Sequence, residues 1–481
     1  KIAQKLKQTS DSKIVIGGPE VSYDPEHYLN QEIFDYLIAG EGEIAFDRLM
    51  AFLHGLIPLT DVPNVIYPVE GKIHKNPIQT IQDLDSLQNP YHFPEDVPNL
   101  PHKIQYVELS RGCPFHCSYC LASLENQVRF FSLDRLKADL LYLMDHGAKT
   151  FKFLDRTFNL NPKMALDIFQ FIIDHHAFGT VFQFEITGDI LPAELIHFIN
   201  AHAPKNLFRF EIGIQSTNTA SNLAVDRRQN NDTLFSNIRL IRQAGIIDLH
   251  LDLIAGLPEE DLPRFAKTFD EVFSLRAKEL QLGFLKMLRG TKIRRESNRY
   301  GYLFQAEPPY EIIESGSLSK EDLKEIHIAE EALETYWNKG YMTDTLSNLL
   351  DSIPSAFAFF NQLGHFYQDQ GYSFHRYQYS DLFERLTAFV TKFHPESGEK
   401  VLDDLKKDYL ESCNTKSKIW WNNDSIKDRK NAILRDYFIQ DNRISIDDLY
   451  KYSVVTEYKN GYLIAVYQPK QKSILFHQKR Q

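Results

Sequence analysis

Arg111-Gly112-Cys113-Pro114-Phe115-His116-Cys117-Ser118-Tyr119-Cys120 puts three thiols within eight residues of a 481-residue chain that holds one other cysteine, Cys413. Three residues separate the first two thiols and two separate the next pair, while the glycine and proline favour a tight loop over a helix. So few cysteines cannot build a disulfide framework in a chain of this length, and clustering points to metal binding instead. A loop of this size can wrap three thiolates around one iron–sulfur cluster. Three fall short of the four-cysteine set of an electron-transfer cluster, which leaves one iron open, as in catalytic metal sites that keep a free position. The competing reading is a closed structural zinc site, in which Cys113, Cys117 and Cys120 are joined by His116 or, over a long sequence distance, by Cys413.

The elements around the loop say how it would be positioned. Strands are expected over 106–109, 150–153, 182–186, 209–214, 250–254 and 279–284, with helices over 134–146, 162–176, 193–202, 232–244 and 263–275 between them. Six βα units fit an α/β fold built on an open or partial parallel (β/α)6 barrel, in which chemistry sits at the C-terminal ends of the strands. That barrel is assigned to 101–318. Residues 1–55 read as the end of another α/β unit. It has a strand Lys13-Ile14-Val15-Ile16, the turn Gly17-Gly18-Pro19, a second strand Tyr36-Leu37-Ile38-Ala39 running into Gly40-Glu41-Gly42-Glu43, and a helix from Ile44. This is half of a doubly wound sheet, and since the chain starts at Lys1 the other half is expected to have preceded it. Residues 56–100, rich in Pro, Asn and Asp, read as a linker in which 64–67 and 71–73 can pair as a hairpin. Residues 319–481 read as mainly helical and end in a β-meander between 454 and 476, whose first turn is Asn460-Gly461.

Composition removes other classes. At 43% hydrophobic and 25% charged residues the chain has the balance of a globular protein. No apolar run approaches the ~18 residues of a membrane span and no secretory leader is visible, so a cytoplasmic protein is expected. A net charge of −11 argues against a protein that coats nucleic acid. There is no H-E-x-x-H helix, no G-x-S-x-G elbow and no phosphate loop. Cys413 alone cannot hold an auxiliary cluster and reads as a small buried residue.

At the cysteine loop, with Tyr119 just before the last thiol, the sequence resembles the radical S-adenosylmethionine (radical SAM) family. The resemblance implies a 4Fe–4S cluster held by Cys113, Cys117 and Cys120. The free iron would chelate the amino and carboxylate groups of SAM, and reductive cleavage would yield a 5′-deoxyadenosyl radical. It also implies SAM contacts on later strands: Glu185 and Arg227 near the methionine end, Gln215 and Asp252 nearer the ribose, and Ile254 and Gly256 around the adenine. Arg227 follows Gln215 by twelve residues and Asp252 follows Arg227 by twenty-five, and a guanidinium can fork onto a carboxylate. The second strand ends Asp155-Arg156-Thr157-Phe158, which resembles the subgroup with cobalamin-binding domains; there Asp155 would supply the acid that other members carry as Gly-Gly-Glu.

Ile16-Gly17-Gly18-Pro19-Glu20 and Gly40-Glu41-Gly42-Glu43 resemble the second half of the cobalamin-binding module of that subgroup, with Gly17 and Gly18 as the backbone that approaches the ligand. Cobalamin therefore stands as a candidate third cofactor. Leu288-Arg289-Gly290-Thr291 and Pro308-Pro309-Tyr310-Glu311 resemble segments that close the barrel in the same subgroup, and the C-terminal region resembles a domain of unassigned function. The implied activity is hydrogen abstraction from an unactivated carbon of a small molecule or peptide, with methyl transfer if cobalamin binds and an electron donor such as flavodoxin or ferredoxin. The alternatives are a cobalamin-independent enzyme resembling coproporphyrinogen oxidases and a non-catalytic metal-binding scaffold. No substrate acid or base is assigned.

Overall fold

The structure, a computed structural model, describes residues 2–125, 127–416, 418–469 and 471–478. It divides into two compact units: residues up to Phe265 with Leu282–Leu323, and Ala266–Gln281 with Lys324 onward.

The first unit holds two sheets. In the N-terminal sheet, Val15–Gly17 runs parallel to Tyr36–Ile38, which pairs antiparallel with Val65–Val69, and Lys72–Lys75 completes the order. The hairpin expected within 56–100 thus extends this sheet. The sheet is buried on both sides because its strands are apolar on both. Leu37 and Ile66 pack with Val21 and Leu29, while Ile38 and Val65 pack with Ala45 and Leu49 of the helix Glu43–Leu53.

The larger sheet has six strands in sequential order: Ile104–Val107, Thr150–Phe153, Val181–Ile186, Phe208–Gln215, Asp248–Ala255 and Glu279–Phe284. The partial parallel barrel expected from the strand–helix repeat is therefore present, and the first four pairings are all parallel. Period-two burial in the second, third and fourth strands divides its faces. On the outer face Phe151 stacks on Phe182 at 4.4 Å and Phe153 on Phe184 at 4.5 Å, and helices such as Pro162–His175 cover them through Phe169. On the opposite face Lys152, Gln183, Glu185, Arg209, Glu211 and Gln215 are half-buried. A row of charged and amide side chains inside a barrel is costly unless the groups pair or receive a ligand.

The first strand ends at Val107, two residues before the expected end, because the Leu109 N–H goes to the Asp155 carboxylate at 2.9 Å instead of a sheet partner. The second unit contains helices such as Ala356–Asp369, Tyr379–Phe393 and Gly398–Ser412 and ends in the expected antiparallel meander of Ser453–Tyr458, Gly461–Gln468 and Gln471–Gln478. Its core gathers Leu434, Leu449, Val455 and Ile464. Among the described residues no helix is long and apolar enough to cross a membrane.

Candidate active site: a three-thiol loop at the barrel mouth

The cysteine loop leaves the first strand and returns through a short ladder in which Ser110–Arg111 pairs with Arg129–Phe130. Gly112 makes the turn into it at φ 94°, and a Cβ there would stand 2.3 Å from the Gln127 carbonyl oxygen. No L-residue with a side chain fits that position. Ser118 is buried and fixed on both sides: its N–H donates to Val225 O at 2.9 Å and its carbonyl accepts from the Ile293 N–H at 3.0 Å. Cys113 and Cys117 are buried and Cys120 half-buried. Gly112→Ala is expected to unseat the loop and leave the chain colourless after anaerobic iron–sulfide reconstitution. Iron bound at the wild-type level would contradict this.

The donor spacing separates the two metal readings. Among the described residues, Asp344, Asp408 and Glu411 form the one set of three His, Cys, Asp or Glu side chains whose ligand atoms all lie within 4.8 Å of one another, so the loop thiols are spread wider than that. A tetrahedral zinc with bonds of ~2.3 Å would draw its sulfurs to within about 4 Å. The wider spread suits a multi-iron cluster gripped at three corners. His116 is exposed, and Cys413 is buried at the end of the helix Gly398–Ser412 in the second unit, beside Tyr409.

A buried and a half-buried carboxylate hold the loop in place. Asp155, at the end of the second strand, is 1% exposed; it accepts from the Leu109 N–H and from the Ser110 hydroxyl at 2.5 Å. Burial pushes its carboxyl up to about 6 against those hydrogen bonds. Both oxygens are thus used to dock the strand that launches the loop. Glu41 does the same from the N-terminal sheet. It accepts from Arg111 at 3.2 Å, from Arg129 at 3.0 Å on each oxygen and from the Ile81 N–H at 2.8 Å. Burial would raise its carboxyl, yet the bonds from Arg129, Ile81 and Arg111 hold it below the ordinary range. Arg111 and Arg129 bracket the cysteine loop, and Arg111 also pairs with Glu43 at 2.8 Å. Sequence reasoning singled out Gly40-Glu41-Gly42-Glu43 as a ligand turn and missed this clamp. The available signal was the pair of arginines on either side of the thiols.

The expected ligand residues gather on the loop and the inner face. Arg227 reaches the loop: its Nη1 lies 3.9 Å from Cys117 Sγ and 3.4 Å from the Tyr119 hydroxyl, while Nη2 donates to Gly213 O and, at 2.9 Å, to Gln229 Oε1. Tyr119 is held protonated, first by burial and then by the nearby Cys117 and Cys120 thiols, against the pull of Arg227. Gln215, at φ 66°, sits beyond a bulge that follows Gly213, and its buried Oε1 has no hydrogen-bond partner among the described residues. Such an acceptor is satisfied by an incoming hydroxyl or amine. A Cβ on Gly213 would stand 2.4 Å from the Gln215 Nε2, so a larger residue there would push the Gln215 amide from its present place.

Further in, Glu185 lies 3.6 Å from Arg156, and burial raises its carboxyl, with Arg156 opposing and the charges of Glu211 and Asp252 adding to the rise. Asp252 pairs with the buried His250 Nε2 at 2.9 Å, and Ile254 is half-buried on the same strand. Gly256, at φ 93°, leaves space that Ile312 fills: an added Cβ would meet Ile312 Cδ1 at 1.9 Å.

Gly17 and Gly18 lie on the N-terminal sheet, at the start of the helix Pro19–Ser22, and a Cβ on Gly18 would face open space. The neighbouring Glu20 joins three of the motifs. It accepts from Tyr28 at 2.6 Å, from Arg289 at 3.2 Å and from the Tyr310 hydroxyl, and Arg289 also pairs with Asp24. Gly290 makes room for Tyr23, whose ring would stand 2.4 Å from a Cβ. The N-terminal sheet is therefore tied to the barrel at two places, after the first strand through Glu41 and after the sixth through Glu20.

Residues 107–272 match the radical SAM superfamily. Residues 298–466 match a family described as a protein of unknown function (DUF4080). The chain is similar to an uncharacterized methyltransferase of Pyrococcus horikoshii, with 33% identity over 35% of this chain and 38% of that one. It is also similar to the anaerobic magnesium-protoporphyrin IX monomethyl ester cyclase of Synechocystis, with 25% identity over 49% and 48%. It spans less than half the length of both. The cobalamin-dependent SAM radical enzyme OxsB, solved with aqua-cobalamin bound, shares the fold at 15% identity and a TM-score of 0.58, over 85% of this chain and 67% of that one.

Proposed function

We propose that the chain is a radical SAM enzyme in which Cys113, Cys117 and Cys120 hold a 4Fe–4S cluster. Its reaction is methyl transfer to, or another modification of, an unactivated carbon with cobalamin as partner cofactor. The observation that carries this is the loop itself: three thiols, spread too widely for one zinc, backed by the Arg227 guanidinium and followed by an unfilled acceptor on Gln215. When bound, the cluster supplies the electron that cleaves SAM and releases a 5′-deoxyadenosyl radical. The chain's own part is to bind and orient. Arg227 and Tyr119 fix the charge beside the cluster, Gln215 takes a donor of the nucleotide, and Glu185 and Asp252 face the same interior with carboxylates suited to an amine or a ribose. Gly17 and Gly18 offer bare backbone to the corrinoid. The substrate is a small molecule or peptide, and the reductant a low-potential protein such as flavodoxin or ferredoxin, in the cytoplasm.

Anaerobic reconstitution with and without cobalamin, followed by assay of 5′-deoxyadenosine and S-adenosylhomocysteine, tests this. Deoxyadenosine in both samples and homocysteine conjugate only with cobalamin is the expected pattern. Deoxyadenosine alone, unaffected by cobalamin, would favour the cobalamin-independent reading, and neither product would overturn the enzyme.

A further inference from the structure

A cavity of about 350 Å³ opens beside the glycine–glutamate turn, lined by Ser22, Gly40, Glu41, Thr80, Gln127 and Arg129. Its notable wall is Arg129, whose side chain is 4% exposed. Every hydrogen bond that this guanidinium makes passes through Nη1, to both Glu41 oxygens and to Ile81 O. Among the described residues Nε and Nη2, both buried, have no hydrogen-bond partner; the Glu125 carboxylate stands off at 4.0 Å from Nη2. Buried donors are nearly always matched, because an unmatched one has given up its water for nothing. Here two adjacent donors of one cation, on a residue that lines the cavity, are buried and unmatched among the described residues. Gly40, which also lines the cavity, has φ 80°, and an added Cβ would meet nothing nearer than Asn64 Nδ2 at 4.0 Å.

We infer that this cavity receives a carboxamide or phosphate oxygen of the ligand carried by the N-terminal sheet, and that Arg129 donates to it. The inference rests on the cobalamin reading above, since a corrinoid carries both acceptors, amides around its ring and a phosphate in its nucleotide tail. The cavity has room for one such arm. Because the same guanidinium grips Glu41, and Glu41 grips Arg111 next to Gly112-Cys113, the arm docks directly onto the frame of the cysteine loop. Arg129 is thereby a ligand-binding residue on the barrel side of the corrinoid.

The test titrates the cluster-loaded wild type and Arg129→Lys with hydroxocobalamin and with cobinamide, which lacks the nucleotide and its phosphate, following absorbance and measuring iron in parallel. Lysine keeps a cation for Glu41 and withdraws the paired donors. Expected is iron at the wild-type level with hydroxocobalamin bound about tenfold or more weakly, the usual size of a lost charged hydrogen bond. Cobinamide affinity unchanged by the substitution identifies the phosphate as the acceptor, and cobinamide affinity lowered as well identifies a ring amide. Thr80→Trp, which adds bulk at another lining position of the cavity, is expected to weaken binding similarly. Equal affinity of wild type and both variants overturns the inference. A wild type that binds neither corrinoid overturns the cobalamin reading on which it stands.

Discussion

Replacing any one of Cys113, Cys117 or Cys120 with alanine is expected to abolish the brown colour of the reconstituted chain and all 5′-deoxyadenosine formation, while the fold survives. The three thiols are the whole protein ligand set of the proposed cluster. A cluster held at three corners has no spare donor: His116 is exposed, and Cys413 belongs to the core of another unit. The substitutions remove only a small side chain from a loop whose backbone is fixed independently, by Ser118 to Val225 and Ile293, by Cys113 N–H to Glu125 O at 3.1 Å, and by Asp155. Far-UV circular dichroism should match the wild type. Cys413→Ala is the control and should keep full iron.

Glu41→Ala should produce a large loss of stability. It strands Arg129, 4% exposed, without its main acceptor, and it frees Arg111 from one of its partners. Removing one member of a buried pair costs about 3–5 kcal/mol, because a charge is left in low dielectric. Denaturant unfolding of the wild type, Glu41→Ala and the double variant Glu41→Leu with Arg129→Met checks the cause. The double variant should be more stable than the single, since it leaves no buried charge behind, and a double variant as unstable as the single would mean that the clamp is not electrostatic. The pH dependence has a definite sign. Glu41 titrates below its ordinary value when folded, so its contribution is complete above that value and fades as the pH falls through the lowered one; the wild type should converge on Glu41→Ala in acid.

Much of this architecture was legible in the residues. Strand–helix alternation places the six barrel strands to within a few residues, because period-two burial on Val181–Ile186 and Phe208–Gln215 is written directly in their aromatic and polar alternation. The thiol loop was readable for the same reason that it works: its chemistry needs a fixed spacing on a tight turn. What pattern reading missed was partnership across distance. Nothing local in Gly40-Glu41-Gly42-Glu43 tells that its carboxylate faces Arg111 and Arg129, seventy and eighty-eight residues on. Asp155 reads as a ligand acid from its place at a strand end, yet its oxygens go to Leu109 and Ser110, a choice made by packing. The hairpin Val65–Val69 with Lys72–Lys75 was visible as a pair, but its joining the N-terminal sheet depends on the exposed edge of Tyr36–Ile38, which sequence does not display.

The central claim is a cluster whose fourth iron is open to SAM, and electron paramagnetic resonance of the reduced, reconstituted chain tests it most directly. Expected are about four irons with matching sulfide, a reduced-cluster signal, and a change in its g-values when SAM is added, because the ligand enters the coordination sphere of one iron. One zinc and no signal, or a cluster spectrum indifferent to SAM, would contradict it.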